Sequence, residues 1–363
     1  MPHIPGHTIV SAGTLASTKR TFTAFAIGDV VEGGSERVTR GLWSGNVGTL
    51  ASYHTSSGQS STQKQYYYEI FNGVSTTSTS EPQFSIAYGH KAGSGSLTAN
   101  QDSPSQAIYS QYAQTLLEDN KSTFEFNSVS TNHIYAININ RARLKDRLDP
   151  GNFQLSLARI SGSSTNAEAL TVEVTASHGA IHLIDDSGDS LQTQNQLGRV
   201  FNLVSGSITN GVLSPVVHYG QVYPEQGVVV INADKLNTEL NFNSVTASNV
   251  NGDNAFKLFT SISGANSANS AEGFQARNEE EVKSTFFFAR ARNGEYNFSN
   301  NPSFSSGSNG IFTQATFIND PKVYITTIGL YNDKQELLAV AKLSKPVLKS
   351  FSNEILAKVK LDF

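Results

Sequence analysis

The chain has 363 residues, a formal net charge of −4, only 15% charged residues and no cysteine. The missing cysteines exclude disulfides, thiolate metal sites and cysteine nucleophiles, and the missing basic surplus argues against nucleic-acid binding. No apolar run approaches the length of a membrane-spanning helix, and residues 1–7 lack the basic and apolar segments of a secretory signal. We therefore expect neither a nucleic-acid partner nor a membrane.

The first part of the chain predicts an arm followed by a β-rich domain. Residues 1–60 are rich in Gly, Ser and Thr, and we interpret them as an extended N-terminal arm that packs on a neighbouring molecule. Residues 61–200 follow as a β-rich domain with one helix. Its first strands are expected at 66–71 and 84–88, where aromatic residues cluster.

One notable helix is expected inside this domain. Ser103 and Pro104 form a helix start signal, and apolar residues recur at helical spacing as far as Leu116. Strands resume at 133–139 and 153–158. Because the second of these alternates apolar with polar residues, we expect one of its faces to be solvated.

Residues 201–280 predict a β segment with a possible second arm. The aliphatic run at 228–231 is typical of a buried strand, and 233–240 fits a short helix. Residues 263–276 contain few aliphatic side chains, so we predict a loop or an arm there.

Residues 281–363 predict a C-terminal β domain that begins with the aromatic run at 286–288. A polar turn joins the apolar strands 325–333 and 336–343 into a hairpin, and 355–363 forms a terminal strand. The predicted fold class is therefore mainly β, with β-sandwich-like domains, one notable helix and extended arms.

Metal and catalytic motifs are weak throughout the chain. His178 and His182 precede Asp185 and Asp186, but on a strand two residues four positions apart lie about 13 Å apart. We interpret this segment as a strand edge followed by a β-turn. The acidic run at 279–281 is interpreted as a solvated face. We predict no metal, no cofactor and no enzymatic activity.

Three segments resemble structural proteins of tailed bacteriophages of the T4-like and marine cyanobacterial groups. They are the hairpin ITTIGLYNDKQELLAVAKLSKPV at 325–347, FARARNGEYNFSNNP at 288–302, and QFSIAYGH at 83–90 with GSGS at 93–96. The resemblance implies a virion structural and assembly protein, made in the host cytoplasm, at the tail baseplate or fibre-attachment region. Its partners would be other virion proteins and further copies of the chain, with a trimer preferred.

Basic and aromatic side chains are the candidates for such an interface. They are Arg141, Arg143, Lys145, Arg147, Tyr331 and Phe363. The four basic residues form the densest positive group in the chain. Two interpretations stay open: a solvated turn whose charges pair with Asp146 and Asp149, or a surface whose arginines bind carboxylates of another subunit.

Two alternatives to a tail position also stay open. A neck, collar or head-surface protein of the same phage class would share every feature described above. A carbohydrate-binding or depolymerising tail protein is the second alternative, because Tyr66, Tyr67 and Tyr68 could stack on sugar rings. Strand geometry places Tyr67 opposite the other two, which favours core packing for at least half of them.

Overall fold

The computed structural model describes residues 7–11, 23–43, 53–56, 66–73, 79–95, 103–161, 171–173, 180–188, 193–195, 197–244, 251–268, 274–299, 301–306 and 311–362. The structure is 52% strand and 16% helix, which confirms the mainly-β fold class. The chain forms two compact units. Residues 37–280 make up the large unit, and residues 1–36 together with 281–363 make up the small unit.

The strands in chain order are β1 (His7–Ser11), β2 (Thr23–Ala24), β3 (Val30–Gly41), β4 (Tyr53–Ser56), β5 (Tyr67–Asn72), β6 (Pro82–His90), β7 (Phe124–Phe126), β8 (Val129–Thr131), β9 (His133–Ile139), β10 (Arg147–Leu157), β11 (Arg159–Ser161), β12 (Thr171–Glu173), β13 (Ile181–Asp185), β14 (Thr193–Asn195), β15 (Gly198–Ser207), β16 (Gly211–Val212), β17 (His218–Tyr223), β18 (Val228–Asn232), β19 (Gln275–Ala291), β20 (Ser305–Ser306), β21 (Ile311–Phe312), β22 (Val323–Tyr331), β23 (Leu337–Lys349) and β24 (Ile355–Asp362). The helices are α1 (Pro104–Leu116), α2 (Arg141–Leu144), α3 (Ala233–Leu240) and α4 (Asn251–Ala268), with a 3-10 helix at Ala315–Ile318.

The large unit is built on one antiparallel sheet with the strand order β19-β10-β13-β15-β17-β18-β9-β6-β5-β4. Strand β18 lies in the middle and pairs with β17 on one side and β9 on the other. All five of its residues are buried, which confirms the buried strand expected at 228–231.

Helices cover both faces of this sheet. On one face, α1 packs its apolar side against Ile134, Val228 and Val230. On the other face, α3 and α4 pack against alternate residues of the same strands, including Ile137 and Val229. Successive strand residues point to opposite faces, so a sheet covered on both sides needs apolar residues at every position of its central strands.

The solvated face expected for 153–158 is wrong. Gln154 and Ser156 are buried together with their apolar neighbours. The Gln154 Oε1 atom accepts a hydrogen bond from the Ile208 amide at 2.8 Å, and Ser156 Oγ lies 2.8 Å from His182 Nδ1. The polar residues of this strand are therefore buried hydrogen-bonding groups.

The helices expected from Ser103 onward and over 233–240 are confirmed as α1 and α3. The loop or arm predicted at 263–276 is wrong at both ends of that range, because α4 continues to Ala268 and β19 begins at Gln275, while 269–273 lie outside the described residues. Helix α4 has few aliphatic residues because polar side chains on its buried side form hydrogen bonds to neighbouring elements. Ser261 Oγ, for example, donates to the Ala158 carbonyl oxygen at 2.6 Å. The chain thus has a second long helix beside α1.

The small unit is a β-sandwich. One sheet has the order β2-β1-β22-β23, and β24 pairs along β19 from Ser284 to Ala291 in the other. Phe287 and Val359 from the second sheet pack against Ile328 and Leu330 from the first. The hairpin expected at 325–343 is confirmed by the pairing of β22 with β23.

The structure divides the chain differently from the predicted domain ranges. The described parts of residues 1–60 form β1 to β4, and β1 and β4 pair with β22 and β5 of the same chain. The border predicted between 200 and 201 falls inside β15, which belongs to the large-unit sheet. Ranges 61–200 and 201–280 therefore share one core. The predicted arm contributes strands to both units.

Candidate interaction surface

Strand β23 is an edge strand of the small unit with an unusually apolar exterior. It lies at the end of the order β2-β1-β22-β23, and no strand among the described residues pairs with its outer edge. Leu337, Leu338 and Val340 are exposed by 52%, 55% and 58%. Edge strands usually carry charges or are covered. This strand carries exposed charges at Lys342 and Lys345, but its first half at 337–341 carries none, so that half has the character of a binding surface.

The outer face of the hairpin extends this apolar surface onto β22. Tyr331 lies opposite Leu337, and Gly329 lies opposite Val340. A Cβ atom at Gly329 would lie 2.7 Å from Tyr331 Cε2 and 3.3 Å from Leu337 Cδ1, so both side chains lie over the glycine. Tyr324, further along β22, is 59% exposed. We name Tyr324, Tyr331, Leu337, Leu338 and Val340 the β23 patch.

The turn of the hairpin is fixed by its own side chains. The Asn332 Oδ1 atom accepts from the Glu336 amide at 2.8 Å, and Asn332 Nδ2 donates to the Glu336 carboxylate at 2.6 Å. Gln335 adopts a φ of +63°, and its amide donates to the Asn332 carbonyl oxygen. The patch is therefore held in place before any partner binds, which lowers the entropic cost of association.

A buried lysine fixes the other end of β23. The side chain of Lys349 is fully buried, and its ammonium donates to the Asn293 carbonyl oxygen, Asn297 Oδ1 and the Ser350 carbonyl oxygen at 2.8–2.9 Å. Burial lowers the pKa of this ammonium below its usual value. Three acceptors satisfy all three donors, so the lysine ties β23 to the loop at 293–297.

The predicted basic group lies in the large unit, where two of its arginines pair with carboxylates of the same chain. Arg141 and Arg143 belong to α2, Lys145 follows it with a φ of +60°, and Arg147 opens β10. The Arg143 guanidinium forms an ion pair with the Glu81 carboxylate of the same chain.

Arg147 binds a second carboxylate of its own chain. Its Nη2 atom lies 2.5 Å from an oxygen of Glu279, and Arg37 Nε approaches the same oxygen at 3.2 Å. Burial raises the pKa of Glu279, but the hydrogen bond and the charges of the arginines outweigh it, so the pKa lies below its usual value. The solvated run expected at 279–281 is wrong for Glu279, which is 1% exposed.

The six predicted interface residues thus separate into two groups. The four basic ones are in the large unit, Tyr331 is part of the β23 patch, and Phe363 lies outside the described residues. Sequence reasoning missed Leu337, Leu338 and Val340. The run Leu-Leu-Ala-Val-Ala at 337–341 contained the signal for Leu338 and Val340, because an edge strand with apolar residues on both faces leaves one face exposed. Leu337 could not be predicted in this way, because the strand pairing shifts register next to it.

The residues considered for a metal have structural partners. The Asp185 carboxylate accepts from the amides of Gly151 at 2.9 Å and Ser187 at 3.2 Å, and the Asp186 carboxylate accepts from Asn202. His178 lies outside the described residues. In the part of the chain that the structure describes, no three metal-ligating side chains come together.

Comparisons with protein-family models, with curated proteins and with solved structures gave no match. Of the helices in the described ranges, none has the length and apolar character needed to cross a membrane.

Proposed function

We propose that this chain is a structural and assembly protein of a tailed-bacteriophage virion, acting through protein–protein interfaces and not as an enzyme. The observation that supports this is the β23 patch, an apolar surface on a preformed and unpaired edge strand. In a protein that works alone such a surface invites aggregation. In an assembled particle it becomes an interface.

The occupant that fits the patch best is a second copy of this chain. Strand β23 has the acidic Glu336 just before one end and Lys342 and Lys345 further along, all exposed. Antiparallel pairing of two β23 strands about Val340 places Glu336 of one copy opposite Ser344 of the other and diagonal to Lys342 on the same face, so the charges complement each other. The apolar residues 337–340 then lie near the centre of the contact. This geometry favours a two-fold contact, whereas the trimer is implied by the resemblance alone.

Within the particle we place the protein at the tail baseplate or fibre-attachment region. The 325–347 hairpin is one of the segments that resemble phage structural proteins, and it contains most of the patch. A position at the neck, collar or head surface is the alternative, and it would use the same surface against different neighbours.

Labelled electron microscopy of the phage particle tests this proposal. We expect gold-labelled antibodies against the chain to mark the tail end, and we expect a Val340→Lys variant to be depleted from purified particles. Val129→Lys is the matched control, because Val129 is a 60% exposed valine on β8 of the large unit. Label at the neck or head would favour the alternative position, and absence of the wild-type chain from particles would refute the proposal.

A further inference from the structure

A second surface, independent of the β23 patch, lies on the large unit. A cleft of about 240 Å³ opens on the sheet where β5, β6 and β9 run side by side. Its polar lining residues are Glu69, Ser85, Asn138, Asn140, Arg141 and Gln226. Arg141 is also one of the predicted interface residues.

Three of these side chains form a row across the sheet. Glu69 lies opposite Ser85 in the pairing of β5 with β6, and Ser85 lies opposite Asn138 in the pairing of β6 with β9. Opposed residues share a face, and strands lie about 4.8 Å apart, so the row spans about 10 Å. Within the described residues, none of these three side chains has a hydrogen-bond or ion-pair partner.

Three further polar side chains complete the lining. Asn140 caps α2, with its Oδ1 atom accepting from the Ala142 amide at 2.9 Å. Gln226 donates from Nε2 to the Leu197 carbonyl oxygen at 2.8 Å, while its Oε1 atom is buried with no partner among the described residues. Arg141 is held in place because its Nη1 atom donates to the carbonyl oxygens of Asp146 and Glu225 at 3.4 and 3.3 Å. Its remaining N–H groups are available to a ligand.

The lining contains both an acidic and a basic side chain, which favours a neutral ligand over a charged one. An anion would meet the Glu69 carboxylate, and a cation would meet the Arg141 guanidinium. A neutral polyhydroxylated molecule suits both, because each hydroxyl donates and accepts hydrogen bonds. Tyr67 does not line the cleft itself, but it lies two residues before Glu69 on the same face of β5 and is 43% exposed, so its ring is available to a sugar that extends along the strand.

We propose that this cleft is a saccharide-binding site. Its volume is below the roughly 300–1,000 Å³ of drug-sized sites, which suits one or two sugar rings. The row of Glu69, Ser85 and Asn138 binds hydroxyls along one edge of the sugar, and the N–H groups of Arg141 that the chain does not use bind a further hydroxyl. Such a site would give a virion protein an attachment point for surface glycans.

The test is a titration of the full-length chain, followed by NMR, with a panel of neutral mono- and disaccharides and with free amino acids. We expect at least one saccharide to bind. Asn138→Ala and Glu69→Gln should each lower the affinity for that saccharide about tenfold, which corresponds to the loss of one hydrogen bond to a charged or polar group. Glu125→Gln, which alters an exposed strand glutamate on β7, is the matched control and should bind as the wild type does.

Two results would overturn the saccharide site. One is the absence of binding by every saccharide in the panel, and the other is binding of a zwitterionic amino acid without any saccharide. Circular dichroism of each variant verifies that lost binding does not reflect unfolding. Because the cleft and the β23 patch share no residue, assembly of these variants should remain normal whether or not saccharides bind.

Discussion

The sheet of the large unit and the β2-β1-β22-β23 sheet of the small unit differ in what covers them. In the large unit, helices pack on both faces, so β18 is buried along its whole length. In the small unit, one face of the hairpin meets the sandwich core while Leu338 and Val340 on its edge strand are more than half exposed. The apolar run at 228–231 therefore stabilises the core of one unit, whereas the apolar run at 337–341 of the other unit leaves side chains available for association.

The largest effect should come from the core of the large unit. Phe274 is 1% exposed, and its ring lies 4.4 Å from Trp43 and 5.2 Å from Phe84, measured between ring centroids. Phe274→Ala should lower the free energy of unfolding by about 3–5 kcal/mol, because it leaves a cavity among rigid aromatic neighbours. Denaturant unfolding measures the loss. Val129 is exposed, so the free energy of unfolding of Val129→Ala should stay within about 0.5 kcal/mol of the wild type. An equal loss in both variants would contradict the claim that stability depends on the buried core.

A smaller effect should come from the buried carboxylate of the same unit. Glu279→Gln should cost about 1.5–3 kcal/mol, since it removes a charge-assisted hydrogen bond to Arg147. Because the folded pKa of Glu279 is depressed, its contribution is fully present above its ordinary pKa of 4.5 and is lost as the pH falls through the lower folded value. Melting temperatures between neutral and acidic pH should therefore fall less steeply for Glu279→Gln. Parallel curves would show that this carboxylate is not linked to stability.

The edge strand should behave in the opposite way. We expect the double variant Leu338→Lys, Val340→Lys to keep its free energy of unfolding within about 1 kcal/mol of the wild type, because neither side chain is part of the core. The same variant should sediment as a monomer at concentrations where the wild type associates. Val129→Lys should associate normally. If the double variant associates as strongly as the wild type, β23 does not form the interface between copies.

The smallest effect should come from Arg143. Its ion pair with Glu81 is partly exposed, with the Glu81 side chain 65% accessible, so Arg143→Glu should cost about 0.5–1 kcal/mol. Adding Glu81→Arg should restore part of that loss in a double-mutant cycle. Reduced sedimentation of Arg143→Glu, with unfolding unchanged, would instead support the intersubunit role that the basic segment suggests.

The elements that could be predicted from the sequence are those specified by local signals. Ser103 and Pro104 mark the start of α1, and the polar turn near Asn332 marks the hairpin. The partners of buried polar groups could not be predicted, because Arg147 and Glu279 are 132 residues apart. For the candidate surface, Tyr331 was identified, but the exposure of Leu338 depends on which strand ends the sheet, and that is a property of the folded topology.

Hydrogen–deuterium exchange of the β23 amides, measured as a function of protein concentration, tests the central claim most directly. Amides of β23 that do not bond to β22 should exchange rapidly in dilute solution and become protected as the chain associates, while the amides of β18 stay protected throughout. Outer-edge amides of β23 that exchange at the same rate in dilute and in associated protein would contradict the account.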